Sequence, residues 1–277
     1  MTRFERPQSM TEAASLLAAG DWALLAGGTD LYPAHVGRPI PKPVLDLSRV
    51  AGLRGITRSE SGWSIGATTT WTDVIRADLP PLFDALKAAA REVGGVQIQN
   101  AGTIAGNVCN ASPAADGIPV LHALGAEVEL HSTLGSRRVP LAAFVLGSRR
   151  TARRSDELVA AIHVPACGPR ARSVFLKLGG RRYLVISISM VAAAIDLDEA
   201  GLVASAGVAV GSCSAAAQRV PALEARLVGR RPMQLAECAE ADDLMRLTPI
   251  DDVRGSAVFR LDATLTLLRR ALAAFVS

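Results

Sequence analysis

The chain has 277 residues and a formal charge of +4, with 49% hydrophobic and 20% charged residues, which describes a folded globular chain long enough for two moderate domains. Aromatics at 4% argue against a base-stacking platform for nucleic acid. The positive charge is dispersed apart from the run SRRTARR, Ser148–Arg154, which reads as a solvated loop.

Ser9 and Glu12 stand in the S-x-x-E form of a capping box, and Ala13, Leu16 and Leu17 lead to Gly20, so a short helix is expected. The apolar run Trp22–Ala26 then reads as a buried strand that stops at Gly27-Gly28, with Thr29 and Asp30 placed to cap the next element. After the connector GRPIPKP come two further strands, VLDL and WSIGATTT, the second ending in a hydroxyl-rich turn. Pro80 and Pro81 open a helix whose face is Leu82, Phe83, Leu86, Ala89, Ala90 and Val93 and which Gly94 ends.

Next stands NAGTIAGNVCNASPAAD, Asn100–Asp116, a stretch of small and polar residues that reads as a loop. Ala114–Leu124 is expected to be helical up to Gly125. AEVEL alternates as a strand does, TLGSRRV supplies a hairpin-like turn, and LVAAIHVP is a strand. ACGPRAR, Ala166–Arg172, has the turn chemistry of a linker. Beyond it SVFLKL, YLVISISMVAAAIDL and LVASAGVAVGS read as strands, followed by the helical PALEARLVG and a last helix from about Ala257 to Phe275. Strands followed by helices indicate an α+β arrangement with antiparallel pairing.

No apolar run approaches the ~20 residues that span a bilayer, and the first residues lack the apolar core of a secretion signal, so a cytoplasmic location is expected. Cys109, Cys167, Cys213 and Cys238 form no C-x-x-C pair, and the histidines have no ligand spacing, so neither a zinc site nor an iron–sulfur cluster is expected on this chain. Neither glycine-rich loop has the G-x-G-x-x-G or G-x-x-x-x-G-K-[ST] spacing, and GSCSA lacks the second glycine of a nucleophile elbow.

The two loops share room for backbone approach. Ala26-Gly27-Gly28-Thr29-Asp30 and Gly102-Thr103-Ile104-Ala105-Gly106-Asn107 could turn consecutive N–H groups toward an anion, because small residues leave the amides accessible. On the second loop Thr103, Asn107, Asn110 and Ser112 add polar arms, and Asp116 is its single carboxylate. An anionic diphosphate with a polar ring or ribose suits this chemistry.

The succession LLAGGTDLYP, IGATTT, VGGVQIQNAGTIAGNVCNASPAADGIPVLHALGAEVEL, ELVAAIHVP and FLKLGGRR resembles the FAD-binding medium subunit of molybdenum hydroxylases, the xanthine dehydrogenase and carbon monoxide dehydrogenase family. The resemblance covers nearly the whole chain. It implies an α+β fold of the vanillyl-alcohol-oxidase or p-cresol-methylhydroxylase type. An FAD-binding domain over 1–167, with subdomains of about 1–52 and 53–167, precedes a C-terminal α+β domain over 171–277. It places FAD against Leu25, Ala26, Gly27, Gly28, Thr29, Asp30 and Leu31 and against Gly102, Thr103, Ile104, Ala105, Gly106, Asn107, Asn110 and Asp116. Val93 falls where some relatives have an aromatic residue, Leu158 at an apolar contact, and Lys177 at a cofactor-contacting lysine.

The resemblance further implies a heterotrimer. A large molybdopterin-binding subunit hydroxylates the substrate, a small subunit carries two 2Fe-2S clusters, and this chain passes the electrons through non-covalent FAD to NAD, a quinone or a similar acceptor. No catalytic side chain and no metal ligand is expected here. The competing reading is a scaffold or assembly subunit that keeps the fold with little or no flavin turnover.

Overall fold

A computed structural model of the chain describes residues 3–276. Phe4–Glu5, Val44–Asp46 and Ala23–Leu25 form a parallel three-stranded sheet with Val44–Asp46 in the middle. That central strand is buried throughout. The helix Met10–Ala19 connects to this sheet, its first turn capped by Ser9 Oγ, which accepts from Glu12 N.

A second sheet is antiparallel, in the order Ile56–Ser59, Gly62–Gly66, Leu158–Pro165, Glu127–Ser132, Gly135–Pro140. The central position of Leu158–Pro165 explains its apolar run, broken only at His163, since the other six of the seven residues Leu158–Val164 are buried. Between the hairpins lie the helices Asp84–Glu92, Val96–Ala101, Ile104–Asn110 and Gly117–Ala123.

The third sheet is antiparallel in the order Arg172–Leu178, Ser189–Leu197, Val203–Gly211, Gln218–Arg219. Period-two alternation splits its second strand between two cores. Met190, Ala192 and Ala194 join the core of the N-terminal sheets, while Val191, Ala193 and Ile195 join a core closed by the helix Ala257–Ala273 through Leu267, Leu268, Ala271 and Leu272. Gly207 lets this sheet approach the helix Gly117–Ala123: a Cβ there would stand 2.0 Å from the Ala123 carbonyl oxygen.

Four expectations change. The stretch Asn100–Asp116 is not a plain loop: it holds the helix Ile104–Asn110, capped by Thr103 and ended by left-handed Ala111 at φ 47°. Helix formation there comes from the cap and from tertiary hydrogen bonds, which a search for apolar periodicity does not see. Thr29 and Asp30 cap no helix; the turn after them is the short 3-10 segment Pro33–His35, started by its proline. The strand expected from Tyr183 begins only at Ser189, because the preceding residues form an irregular hairpin tip in which Leu184 takes φ 52°. The fourth concerns SRRTARR, whose Arg149 and Arg153 face a cleft instead of solvent alone. Among the described residues no helix is long and apolar enough to cross a membrane.

Candidate functional site: a cleft between two glycine loops

The hydroxyl-rich turn Thr68-Thr69-Thr70 is the anchor of the site. Thr70 caps the helix Trp71–Arg76 in a capping box with Asp73. The carbonyl of Thr69 accepts from Ile104 N at 3.0 Å, and Trp71 N donates to Gly102 O at 3.1 Å. The segment Gly102–Ile104 is thus held like a strand against the turn, and Thr103 Oγ1 accepts from Gly106 N at 3.0 Å. Trp71, buried, forms part of the cleft floor.

The other loop packs directly on this one. A Cβ on Gly27 would lie 2.0 Å from the Ala101 carbonyl oxygen, so only glycine permits the approach. Asn110 Nδ2 donates to Asp30 Oδ1 at 3.2 Å and ties the two loops a second time. Between them opens a cleft of about 720 Å³, a size that accommodates a nucleotide cofactor.

Several polar groups along this cleft take no partner from the protein. The amides of Gly27, Gly28, Thr29 and Ala105 have no acceptor among the described residues, and Asn107 Oδ1 is buried without a donor. Unpaired groups of this kind carry a desolvation cost unless a ligand satisfies them. They suit a dinucleotide: amides for phosphate, an amide oxygen for a hydroxyl or ring N–H.

Part of the wall is apolar, lined by Val93, Ile98, Leu184, Val185 and Ile186. Asp116 also lines the cleft. Its Oδ2 lies 2.9 Å from Lys177 Nζ and its Oδ1 accepts from Ser187 Oγ at 2.8 Å. Burial pushes the Asp116 carboxyl above the ordinary range, with Lys177 and Ser187 opposing the shift. The Cys109 thiol, also on the wall, is pushed up to about 11 by burial, which leaves it protonated and a poor nucleophile at neutral pH.

The expected residues divide cleanly. Leu25 to Leu31, Val93, Gly102, Thr103, Ala105, Gly106, Asn107, Asn110 and Asp116 all line the cleft. Ile104 and Leu158 do not: both side chains are wholly buried in the core behind it, and it is Val159 that reaches the wall. Lys177 meets the cleft through its pairing with Asp116. Sequence reasoning missed Arg149 and Arg153, Trp71, and the tip Leu184–Ile186. Trp71 alone had a local signal, standing directly after the hydroxyl-rich turn.

Glycine-loop amides, interlocked backbones and an apolar stretch of wall, on a parallel sheet joined to an antiparallel one, define a nucleotide-cofactor domain without the G-x-G-x-x-G turn of a Rossmann unit. Residues 1–167 match the FAD binding domain in molybdopterin dehydrogenase, and residues 175–275 match the CO dehydrogenase flavoprotein C-terminal domain. The chain belongs to this family of FAD-binding oxidoreductase subunits.

Among its relatives is the carbon monoxide dehydrogenase medium chain of Hydrogenophaga pseudoflava, 30% identical over 98% of this chain and 96% of the relative. The glyceraldehyde dehydrogenase medium chain of Sulfolobus acidocaldarius is 31% identical over 97% and 96%. In structure the chain is similar to carbon monoxide dehydrogenase from H. pseudoflava, with a TM-score of 0.86 and 28% identity over 99% of this chain and 97% of that one. It is also similar to quinoline 2-oxidoreductase from Pseudomonas putida 86, with a TM-score of 0.85 and 25% identity over 99% and 96%. The α+β fold expected from the resemblance is the fold found.

Proposed function

We propose that this chain is the electron-transfer subunit of a molybdenum hydroxylase. In this reading it takes electrons from the 2Fe-2S clusters of a small partner subunit, which a large molybdopterin subunit supplies, and delivers them to NAD, a quinone or a similar acceptor. The observation that carries the reading is the backbone contact of Gly27 with Ala101, which puts the partner-free amides of Gly27, Gly28 and Thr29 on one cleft with that of Ala105. Relatives called medium chains support a place in a multi-subunit assembly.

Bound FAD supplies the two-electron chemistry. The chain's part would be to hold it: the amides of Gly27, Gly28, Thr29 and Ala105 would bind the diphosphate, Asn107 Oδ1 would take a donor, and Val93, Ile98, Leu184 and Ile186 would exclude water from the ring. Asp116 acts on this site by fixing the hairpin tip through Ser187 and Lys177. We read the chain as two units, 1–167 with a division near residue 52 and 171–277, and place it in the cytoplasm, where four free thiols are at home.

The test is direct. The purified chain is expected to be yellow, to lose its flavin bands on denaturation and to release free FAD. A colourless chain that refuses added FAD yet still assembles with its partners would replace this reading with the scaffold.

A further inference from the structure

Arg260, in the first turn of the helix Ala257–Ala273, is wholly buried, with 1% of its surface exposed. A guanidinium is rarely buried this far, because the charge loses its hydration. Asp252, itself paired with Arg254, supplies the counter-charge: its Oδ1 accepts from Arg260 Nη2 at 2.8 Å. Arg260 Nε is left without an acceptor. A charge taken from water with one donor unmet is a poor device for stability alone, so its role is decided by what the other donors grip.

They grip two backbone carbonyls. Nη1 donates to Ile188 O and, at 3.3 Å, to Ser212 O. These residues stand on neighbouring strands of the third sheet, just beyond the pairing of Met190 with Gly211. Thr264, one turn further along the helix and so on the same face, binds the adjoining residues. Its Oγ1 lies 2.6 Å from Ser189 Oγ and 3.3 Å from Cys213 Sγ. Arg260 and Thr264 form a polar seam between the helix and the two strand ends.

Both strand ends lead to the cleft. Ile188 N donates to Leu178 O at 2.7 Å, which closes the base of the hairpin tip that carries Leu184, Val185 and Ile186 to the wall. Lys177 and Ser187, the adjoining residues of that base, hold the two oxygens of Asp116. Ser212 takes the left-handed backbone at φ 63°, with its N–H donating to Pro113 O at 2.9 Å and its own carbonyl on Arg260. Pro113 stands between Ser112 and Ala114, both on the wall. One guanidinium thus ties the hairpin tip to the end of the second loop without itself lining the cleft.

We propose that Arg260 is a positioning residue for the cofactor, which holds the hairpin tip and the segment Ser112–Asp116 in register so that the apolar stretch of wall closes on the flavin ring. The proposal rests on the flavoprotein reading. The planar fork of arginine suits the task; a lysine keeps the charge beside Asp252 but has no fixed fork to hold two carbonyls and a carboxylate at set angles.

The test compares the full chain with Arg260→Lys, Arg260→Met and a control, Leu272→Ala, which weakens the core under the same helix away from the polar seam. Three quantities are read: the denaturant midpoint of the FAD-free chain, the FAD dissociation constant, and the visible circular dichroism of the bound flavin, which reports the surroundings of the ring. Both Arg260 variants are expected to bind FAD about tenfold more weakly, the equivalent of one lost hydrogen bond to a charged group. Their flavin dichroism is expected to weaken even at saturation. Arg260→Lys keeps the ion pair with Asp252 and is expected to remain folded should Arg260→Met fail to fold. Leu272→Ala is expected to lower the midpoint while affinity and dichroism stay as in the wild type.

Wild-type affinity and dichroism in either Arg260 variant overturns the proposal. So does an equal loss in Leu272→Ala, which would make Arg260 one contribution to stability among others. A wild-type chain that takes up no FAD at all would instead sink the flavoprotein reading on which the proposal rests.

Discussion

Lys177 Nζ stands 2.9 Å from Asp116 Oδ2, and the two side chains are only 7% and 9% exposed, so a buried ion pair joins the cleft to the C-terminal sheet. Ser187 holds the other carboxylate oxygen. Removing one partner of such a pair leaves an uncompensated charge away from water. Asp116→Ala is therefore expected to cost about 3 kcal/mol or more of stability, with or without added FAD, measured by denaturant unfolding. Asp116→Leu combined with Lys177→Met is expected to recover most of it. Should Asp116→Ala lose stability only when FAD is present, the carboxylate acts on the cofactor and not on the fold.

Gly27→Ala tests the contact between the two loops. A Cβ 2.0 Å from the Ala101 oxygen cannot be accommodated without moving one loop. The expected result is a loss of roughly 1–3 kcal/mol of stability together with a large fall in FAD content after purification. Unchanged FAD content would show that the loops need not touch to form the cradle.

His122 gives the stability a pH dependence. Burial, helped by Arg219, lowers its imidazole to about 4, and its Nε2 has no partner. The unfolded chain takes up a proton near pH 6.5 that the folded chain refuses until about pH 4. Stability is thus intact above about pH 6.5 and falls as the pH drops toward 4, by roughly 3 kcal/mol in all. His122→Leu is expected to flatten this part of a stability-against-pH curve; a slope that survives the substitution would assign it to other groups.

Cys109 is the one thiol on the cleft wall, and burial that raises it to about 11 keeps it out of covalent chemistry. Mass spectrometry of the denatured chain is expected to give the unmodified polypeptide mass, and Cys109→Ser is expected to retain FAD. A flavin adduct on this residue would contradict both.

Much of this arrangement is legible from residues close together in the chain. The Ser9 cap, the strand character of Met190–Ile195 and the hairpin before Val139 are each encoded by neighbours, whereas the division of that strand between two cores is not, since MVAAAI is apolar throughout. The helix Ile104–Asn110 escapes the same reading because its start is fixed by Thr69, 35 residues earlier, and its small residues show no apolar stripe. Arg149 and Arg153 read as solvent-facing for a similar reason. Charge pattern reports that a run is exposed but not that its exposure is to a cleft, which the hydrogen bond to Ala111 decides. The tip Leu184–Ile186 continues an apolar run without a break, and only Leu184's left-handed backbone and the Arg181 side chain bonded to its carbonyl end the strand there.

The sheet strand Ser189–Leu197 has no outer surface along Met190–Ile195, since each of its faces there belongs to a different core. Opening either side of this strand would strip apolar cover from the other and strand Asp116 without its lysine, so the two sides are expected to melt together. The chain should unfold in a single calorimetric transition, and a fragment ending at residue 167 should be insoluble, however well its own sheets are formed. The covalent connection between the two lobes is the least of what joins them.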